Sequence, residues 1–514
     1  MTQMLDTAPA SADPNGSGPP HVRFAIVGAG FGGLGMAIKL REMGIDDFVV
    51  LDRDSDVGGT WHANTYPGCQ CDIPSHLYSF SFAPNPDWTR TYATQPEIWR
   101  YLRKVTERYG VIDSVRFDCA VTGATWDEEA NLWRLETERG PLTAEMVVAA
   151  PGGLSEPQVP AIEGLDEFEG ETFHTARWNG DYDFKGKRIA VVGTGASAIQ
   201  AVPQLQQEVE HLTLFQRTPP WIVPHRDRPI SSLERRLYRR LPALQRLVRK
   251  AVYWRNEMLV PALVYRPRLL GVVERVARRH IAQSVPDPQL RAKLTPDYTI
   301  GCKRILPSNR WYPALMEPNV DIAFGGLEEV RPEGVVLPDG SLREVDAIVF
   351  ATGFYVTEFP FASMVRGRGG KTLSEVWQGS PQAYRGTAAS GFPNMFWLVG
   401  PNTGLGHNSI VFMIESQLAY LTDAIRTMEA SGANRVEVTE QAQDAYNARL
   451  QAKMPPTVWN SGGCQSWYID ANGRNTTIWP DFTWRFRREL QSFDAASYRL
   501  SSRVPAALPE LDLA

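Results

Sequence analysis

A chain of 514 residues is longer than one ordinary hydrophobic core, so two or three domains are expected. Apolar content of 43% and charged content of 22% are ordinary for a soluble globular protein, and a net charge of −5 argues against a general nucleic-acid binder. The five cysteines (Cys69, Cys71, Cys119, Cys302, Cys464) form an odd set with no C-x-x-C pair, so neither a disulfide framework nor a metal site is expected, and a reducing, cytoplasmic setting fits best.

The first residues lack the apolar core of a signal peptide and are rich in Pro, Ser, Ala and Asp, so 1–20 read as a disordered tail. No apolar run approaches the roughly 18 residues a membrane span needs, so no transmembrane segment is expected. The next segment, FAIVGAGFGGLGMAIKLREMGIDDFVVLDRD, reads as a buried strand over Phe24 to Val27, a glycine turn, an amphipathic helix stopped near Gly44, and a second strand ending at Asp52. Gly28 suits the tight turn, Gly30 lets backbone N–H groups approach a pyrophosphate, and Gly33 permits close packing of helix on strand. Asp52, 24 residues after Gly28, stands where a carboxylate accepts from ribose hydroxyls.

A second unit follows in KRIAVVGTGASAIQAVPQL, with Gly193, Gly195 and Ala198 in the same positions and the strand LTLFQR downstream. Arg217 lies 24 residues after Gly193, so the two units match in spacing and differ in the sign of the charge that closes them. A carboxylate repels a ribose 2′-phosphate, whereas a guanidinium pairs with it, so the first unit suits FAD and the second NADPH. Thr194, Ser197 and Gln216, beside the fingerprint, are assigned to NADPH with it. The plainer reading of Arg217 is a solvated charge at a strand end. Two later segments, DAIVFATGF (Asp346 to Phe354) and FWLVGPNTGLGHNS (Phe396 to Ser409), are strands running into small-residue loops that let backbone approach a large planar cofactor.

Between Ser231 and His280 thirteen Arg or Lys face three acids, with apolar spacing at Leu237, Leu241, Leu244 and Leu247. This is a basic helical insert, punctuated by prolines at 219, 220, 224, 286, 288 and 296. The simpler account is a helical cap with a solvated basic face; docking on an anionic membrane surface is the other.

Two patterns carry a family resemblance. Phe168, Gly170, His174 and Trp178 fit F-x-G-x-x-x-H-x-x-x-W between the two nucleotide loops, and GGTWHANTYPGCQCD, from Gly58 to Asp72, fits [A/G]-G-x-W-x-x-x-x-[F/Y]-P-[G/M]-x-x-x-D. Over roughly residues 20 to 495 the chain resembles the Baeyer-Villiger monooxygenases, class B flavoproteins dependent on FAD and NADPH. It departs from their usual pattern at Asn179, where Pro or Asp is common, and at Gln70, where many relatives carry Arg.

The resemblance implies hydride transfer from NADPH to FAD, a peroxide formed with O2 at flavin C4a, and attack on a ketone to give an ester or lactone, with sulfoxidation as a side activity. It assigns Arg304, in GCKRILPSNRWYPAL, as the cation beside the flavin, Asp72 as its carboxylate partner, and Lys303 as Arg217's helper on the 2′-phosphate. Trp61, Thr60, Tyr78 and the backbone of Val121 match FAD-contacting positions, and Trp467 matches a residue near the NADP ribose and substrate. Cys69 and Cys71 read as packing. The 168–178 signature reads as an interdomain linker, anchored by Phe168 and Trp178, turning at Gly170 and oriented by His174. The rivals are a heteroatom (N/S) hydroxylating flavin monooxygenase, against which Trp178 and Arg304 speak, and a non-catalytic NADPH sensor.

The expected fold is α/β, with two Rossmann-like dinucleotide-binding domains and a helical insert. The FAD domain spans 21–152 and 355–495, the NADPH domain 153–224 and 303–354, the insert 225–302, and a C-terminal tail 496–514. The expected partners are a small-molecule ketone and O2, with no nucleic acid.

Overall fold

The computed structural model describes residues 19–502. The tail expected over 1–20 lies outside the described residues except for its last two positions, and residues 503–514 lie outside them as well.

The first sheet contains β1 (His21–Val27), β2 (Phe48–Leu51), β3 (Val115–Arg116), β4 (Val121–Asp127), β5 (Leu132–Thr137) and β6 (Leu142–Ala149). β1 lies centrally, parallel to both neighbours, with Val27 opposite Leu51 on β2 and Ala149 on β6. Its last four residues are all buried, the continuous apolar run expected of a parallel strand covered on both faces. The chain returns to this sheet late: Val365–Arg366 joins β4, and Met395–Trp397 joins β6 in parallel. Helix α1 (Phe31–Glu42) links β1 to β2.

The second sheet is wholly parallel. It contains β7 (Glu171–His174), β8 (Arg188–Val192), β9 (His211–Phe215), β10 (Val320–Ala323) and β11 (Ala347–Phe350) in the order β10-β9-β8-β11-β7. Helix α2 (Ala196–Leu205) follows β8, repeating the geometry of the first unit.

Between β9 and β10 the insert forms α3 (Ser232–Arg240), α4 (Pro242–Glu257), α5 (Gly271–Ser284) and α6 (Pro288–Lys293). Ser231 and Glu234 form a reciprocal capping box at the start of α3. Proline opens α4 and α6, where its missing N–H costs no intrahelical bond. A long helix, α7 (Ile410–Ser431), then packs against α1 and closes the flavin-side core.

Two expectations are corrected. Cys302 and Cys464 are joined by a disulfide, although no bridge was expected; the fold brings residues 162 apart to a Cα separation of 6.1 Å, a pairing that local spacing cannot reveal. The cysteine argument for a reducing setting loses its footing accordingly. Residues Tyr498–Ser501, assigned to a tail, form a strand antiparallel to Arg435–Val438, held by the buried ring of Tyr498.

Candidate active site

Both glycine loops sit at the carboxyl ends of parallel strands, where open α/β sheets bind ligands. Gly28 has φ +103° and Gly193 φ +112°, and a Cβ on either would run into a carbonyl of the adjoining strand end, that of Ala150 or Ala351. In the first loop the buried Asp52 accepts from the Ala29 N–H and, at 2.8 Å, from the Asp54 N–H. Burial raises its pKa, against the pull of those two donors. The carboxylate is thereby fixed at the turn with lone pairs left for hydroxyl donors. Gly30 and Gly33 lie within this loop and the first turn of α1; Gly33 has no room for a Cβ beside the Gly28 carbonyl. Val121 opens β4, whose approach lies next to Asp52 through the Cys119 N–H bond to its carbonyl at 2.9 Å.

The flavin-side pattern folds as Gly58 and Gly59, both at positive φ, followed by a single helical turn from exposed Thr60 to Ala63. Trp61 is buried there and donates its indole N–H to the Tyr78 hydroxyl at 3.1 Å. The Cys69 and Cys71 thiols are buried in the same loop; burial pushes Cys69 up to about 12 and also raises Cys71 well above its ordinary value, which removes nucleophilic thiolate chemistry.

Asp72 and Arg304 meet as a bidentate pair: Nε donates to Oδ2 at 2.5 Å and Nη2 to Oδ1 at 2.7 Å, while Nη1 reaches the Leu405 carbonyl at 3.4 Å. The Arg304 side chain keeps 31% and that of Asp72 21% of its accessible surface, so the pair forms part of a wall and is not locked in the core. Asp72 chiefly raises the guanidinium pKa and makes its charge permanent. Burial alone would push the Asp72 carboxyl up, yet Arg304 outweighs it and holds the group below its usual value.

At the second loop, Gly195 caps α2, Thr194 Oγ1 donates to the Thr218 carbonyl at 2.9 Å, and Ala198 is fully buried on α2 beside half-buried Ser197. Arg217 lies exposed just beyond β9. Lys303 is close enough to feel it: burial first, and then the Arg217 charge, lower the ammonium pKa. Two cations this close repel each other, and an anion bound between them, such as a ribose 2′-phosphate, relieves that repulsion. Gln216 is 2% exposed, and both polar atoms of its amide lack a protein partner.

His174 ends β7, and β11 places it level with Val192, since Phe350 pairs with both residues. It therefore stands at the carboxyl edge of the NADPH-side sheet, two strands from the Gly193 turn. Its Nδ1 accepts from the Ala176 N–H at 3.1 Å, and its ring packs edge-on against Phe354. Burial lowers its pKa to about 4, so the imidazole is neutral at working pH. Trp178 stacks on Phe184, and Phe168 is half-buried beside Val330 and Val335. Gly170 is not at a turn requiring positive φ; glycine is needed because the Phe168 ring and the Asp346 carbonyl occupy the place of a Cβ.

Several contributors escaped the sequence reading. Tyr468 is buried near Arg304, and burial pushes its hydroxyl up to about 12. Gln200, on α2, accepts from the Tyr66 hydroxyl at 2.9 Å and donates to the Gln70 carbonyl at 2.9 Å, tying the NADPH-side helix to the flavin-side loop. Gln70, at the position where Arg is common, donates to Asp227 at 3.1 Å. Glu257, at the end of α4, is wholly buried against His407 at 3.2 Å and accepts from Asn408 and Thr483 at 2.7 and 2.6 Å. It anchors the insert to the loop that carries Leu405. Trp467 is 46% exposed, three residues beyond the bridged Cys464, so the disulfide tethers its loop beside Lys303 and Arg304. Spacing gives no signal for any of these long-range contacts.

The donor set fits two dinucleotides: glycine turns without room for a Cβ, an acid at the first, two neighbouring cations and an unpaired amide at the second. Among the described residues no group of three or more His, Cys, Asp or Glu is placed to hold a metal ion, and no helix is long and apolar enough to cross a membrane. Fold and site together define a flavin- and NADPH-dependent oxidoreductase.

The profile of the family described as pyridine nucleotide-disulphide oxidoreductase matches residues 25–253. A Baeyer-Villiger monooxygenase of Streptomyces coelicolor is 53% identical over 487 residues, covering 95% of this chain and 94% of its own. Another, from Pseudomonas aeruginosa, is 49% identical over 500 residues, covering 97% and 95%. Among solved structures, a closed form of cyclohexanone monooxygenase superposes with a TM-score of 0.84 at 30% identity, covering 94% of this chain and 99% of that one. An oxidized steroid monooxygenase bound to NADP gives 0.82 at 31%, covering 94% and 100%. The chain belongs to the Baeyer-Villiger monooxygenases.

Proposed function

We propose that Arg304, oriented by Asp72, is the catalytic cation of this enzyme, and that Arg217 and Lys303 select NADPH. The enzyme uses NADPH, O2 and FAD to insert one oxygen atom beside a ketone carbonyl, giving an ester or lactone. When bound, the two cofactors supply hydride transfer and the activation of O2. The protein's part is electrostatic and positional.

The observation that carries this reading is the Asp72–Arg304 fork. A guanidinium stays protonated throughout the working range, so it stabilises negative charge at the reacting oxygen without itself exchanging a proton. Two of its N–H groups are spent on Asp72, which fixes the plane of the fork, and a third reaches the Leu405 carbonyl, leaving two for the reacting oxygen. The Tyr468 hydroxyl, buried near this pair, keeps its proton. Asp52 takes the FAD ribose, with Gly28, Gly30 and Gly33 at the pyrophosphate and Thr60, Trp61, Tyr78 and Val121 along the flavin side. Gly193, Thr194, Gly195, Ser197, Ala198 and Gln216 hold NADPH with Arg217 and Lys303. His174, neutral and at the carboxyl edge of the second sheet, is a positioning residue of the 168–178 segment, and Trp467 stands at the substrate end.

The same reading divides the chain into an FAD domain (21–152 and 355–495), an NADPH domain (153–224 and 303–354) and the insert (225–302), and places the enzyme in the cytoplasm, where NADPH is regenerated. Incubating the holoenzyme with NADPH and a panel of linear, monocyclic and polycyclic ketones tests the reading by product analysis. Esters or lactones are expected; NADPH oxidation that yields only hydrogen peroxide across the panel contradicts it.

A further inference from the structure

The insert does not bury its apolar residues as a capping subdomain should. Of the fifteen large hydrophobic side chains exposed among the described residues, ten lie between Leu233 and Val276. They follow helical spacing. On α4 and its C-terminal cap, Leu247, Ala251, Trp254 and Met258 recur at intervals of four, three and four, with Leu247 62%, Trp254 56% and Met258 72% exposed. At the start of α5, Leu269, Val272 and Val276 repeat the pattern at 54%, 61% and 46%. Nothing in the described chain covers either stripe, whereas an amphipathic helix serving only as a lid turns such a stripe inward.

The flanks are cationic. Arg246, Lys250 and Arg255 border the first stripe, Arg268, Arg275 and Arg279 the second, and all six are exposed. Thirteen Arg or Lys against three acids give residues 231–280 a balance of +10 in a chain whose total is −5, so the remainder carries −15. We infer that the insert docks the enzyme on an anionic phospholipid surface, with the α4 stripe at the acyl boundary and its flanking Arg246, Lys250 and Arg255 among the headgroups.

Charge decides between occupants. A second copy packed through the same face would set the exposed Arg246, Lys250 and Arg255 against their own counterparts, which an isologous contact cannot relieve. A purely polyanionic partner leaves Leu247, Trp254 and Met258 without a role. A bilayer with anionic headgroups satisfies both the charge and the apolar stripes, and the negative remainder of the molecule turns this one face towards it. Docking through this face is peripheral, since among the described residues no helix is long and apolar enough to span a membrane. The inference does not depend on the ketone chemistry proposed above.

The test is flotation of the FAD-loaded full chain with phosphatidylcholine vesicles, with and without phosphatidylglycerol. Partitioning should rise about tenfold or more with the anionic lipid and fall as salt is raised. The triple variant Leu247→Asp, Trp254→Asp, Met258→Asp should abolish it, while its melting temperature and its turnover of a water-soluble ketone stay at wild-type values. Undiminished vesicle binding by that variant would overturn the inference, because charge alone would then suffice. Failure of the wild type to float with either vesicle would overturn it too, as would a wild-type dimer that the triple variant dissociates.

Discussion

Replacing Arg304 with Ala is the sharpest test of the proposed site. Three of its five N–H groups are engaged, two by Asp72 and one by the Leu405 carbonyl, so two remain for the reacting oxygen. Loss of one preorganised donor to a developing oxyanion costs about 3 kcal/mol, or roughly a hundredfold in rate, and loss of a full charge with two donors costs at least that much. Asp72 is left without its cation, and burial then drives it towards the neutral acid. Asp72→Asn keeps one acceptor for the fork but removes the charge, so its loss should be smaller. The assay separates the half-reactions in a rapid-mixing instrument: anaerobic reduction of the flavin by NADPH, then ester formation after oxygen is admitted. Arg304→Ala should bind FAD and lose ester formation by about a hundredfold or more. Ester formation within a few-fold of wild type would refute the assignment.

Arg217→Ala and Lys303→Ala should each raise KM for NADPH about tenfold, the size of one charge-assisted contact, while KM for NADH barely moves; equal changes for both nucleotides would contradict a 2′-phosphate site. His174 has a folded pKa of about 4 against an ordinary 6.5, so the unfolded chain binds the extra proton between these values and stability falls as pH drops from 6.5 towards 4, by roughly 3 kcal/mol in all. His174→Ala should flatten that part of the Tm profile and slow flavin reduction or oxygenation while FAD stays bound; unchanged rates in both half-reactions would count against a positioning role. Alkylation of the denatured, unreduced protein should modify Cys69, Cys71 and Cys119 only, leaving Cys302 and Cys464 for reaction after reduction. Five alkylated cysteines without reductant would contradict the bridge.

What was legible in the sequence is local. Gly28 and Gly193 announce themselves because each turn is flanked by an apolar strand, a helix and a closing charge, all within one βαβ unit. The strands of DAIVFATGF and FWLVG were likewise visible as apolar runs ending in small residues, and they fall at Ala347–Phe350 and Met395–Trp397. Contacts that close over long loops left no such mark. The Cys302–Cys464 bridge, the Gln200 clamp on Gln70 and the Glu257 anchor on His407 join segments more than a hundred residues apart. Gly170 shows a subtler limit: a glycine suggests a turn, yet here it makes room for the Phe168 ring. The insert reads from sequence as a cap with solvated charges; only side-chain exposure reveals that its apolar stripe points outward.

The central claim is oxygen insertion into a ketone through this site. It is tested most directly by turnover of a reactive ketone with NADPH under isotopically labelled dioxygen, with mass analysis of the product. The account predicts an ester or lactone carrying one labelled oxygen atom, formed by the wild type and lost in Arg304→Ala. An unlabelled product, or undiminished labelled ester from Arg304→Ala, would contradict it.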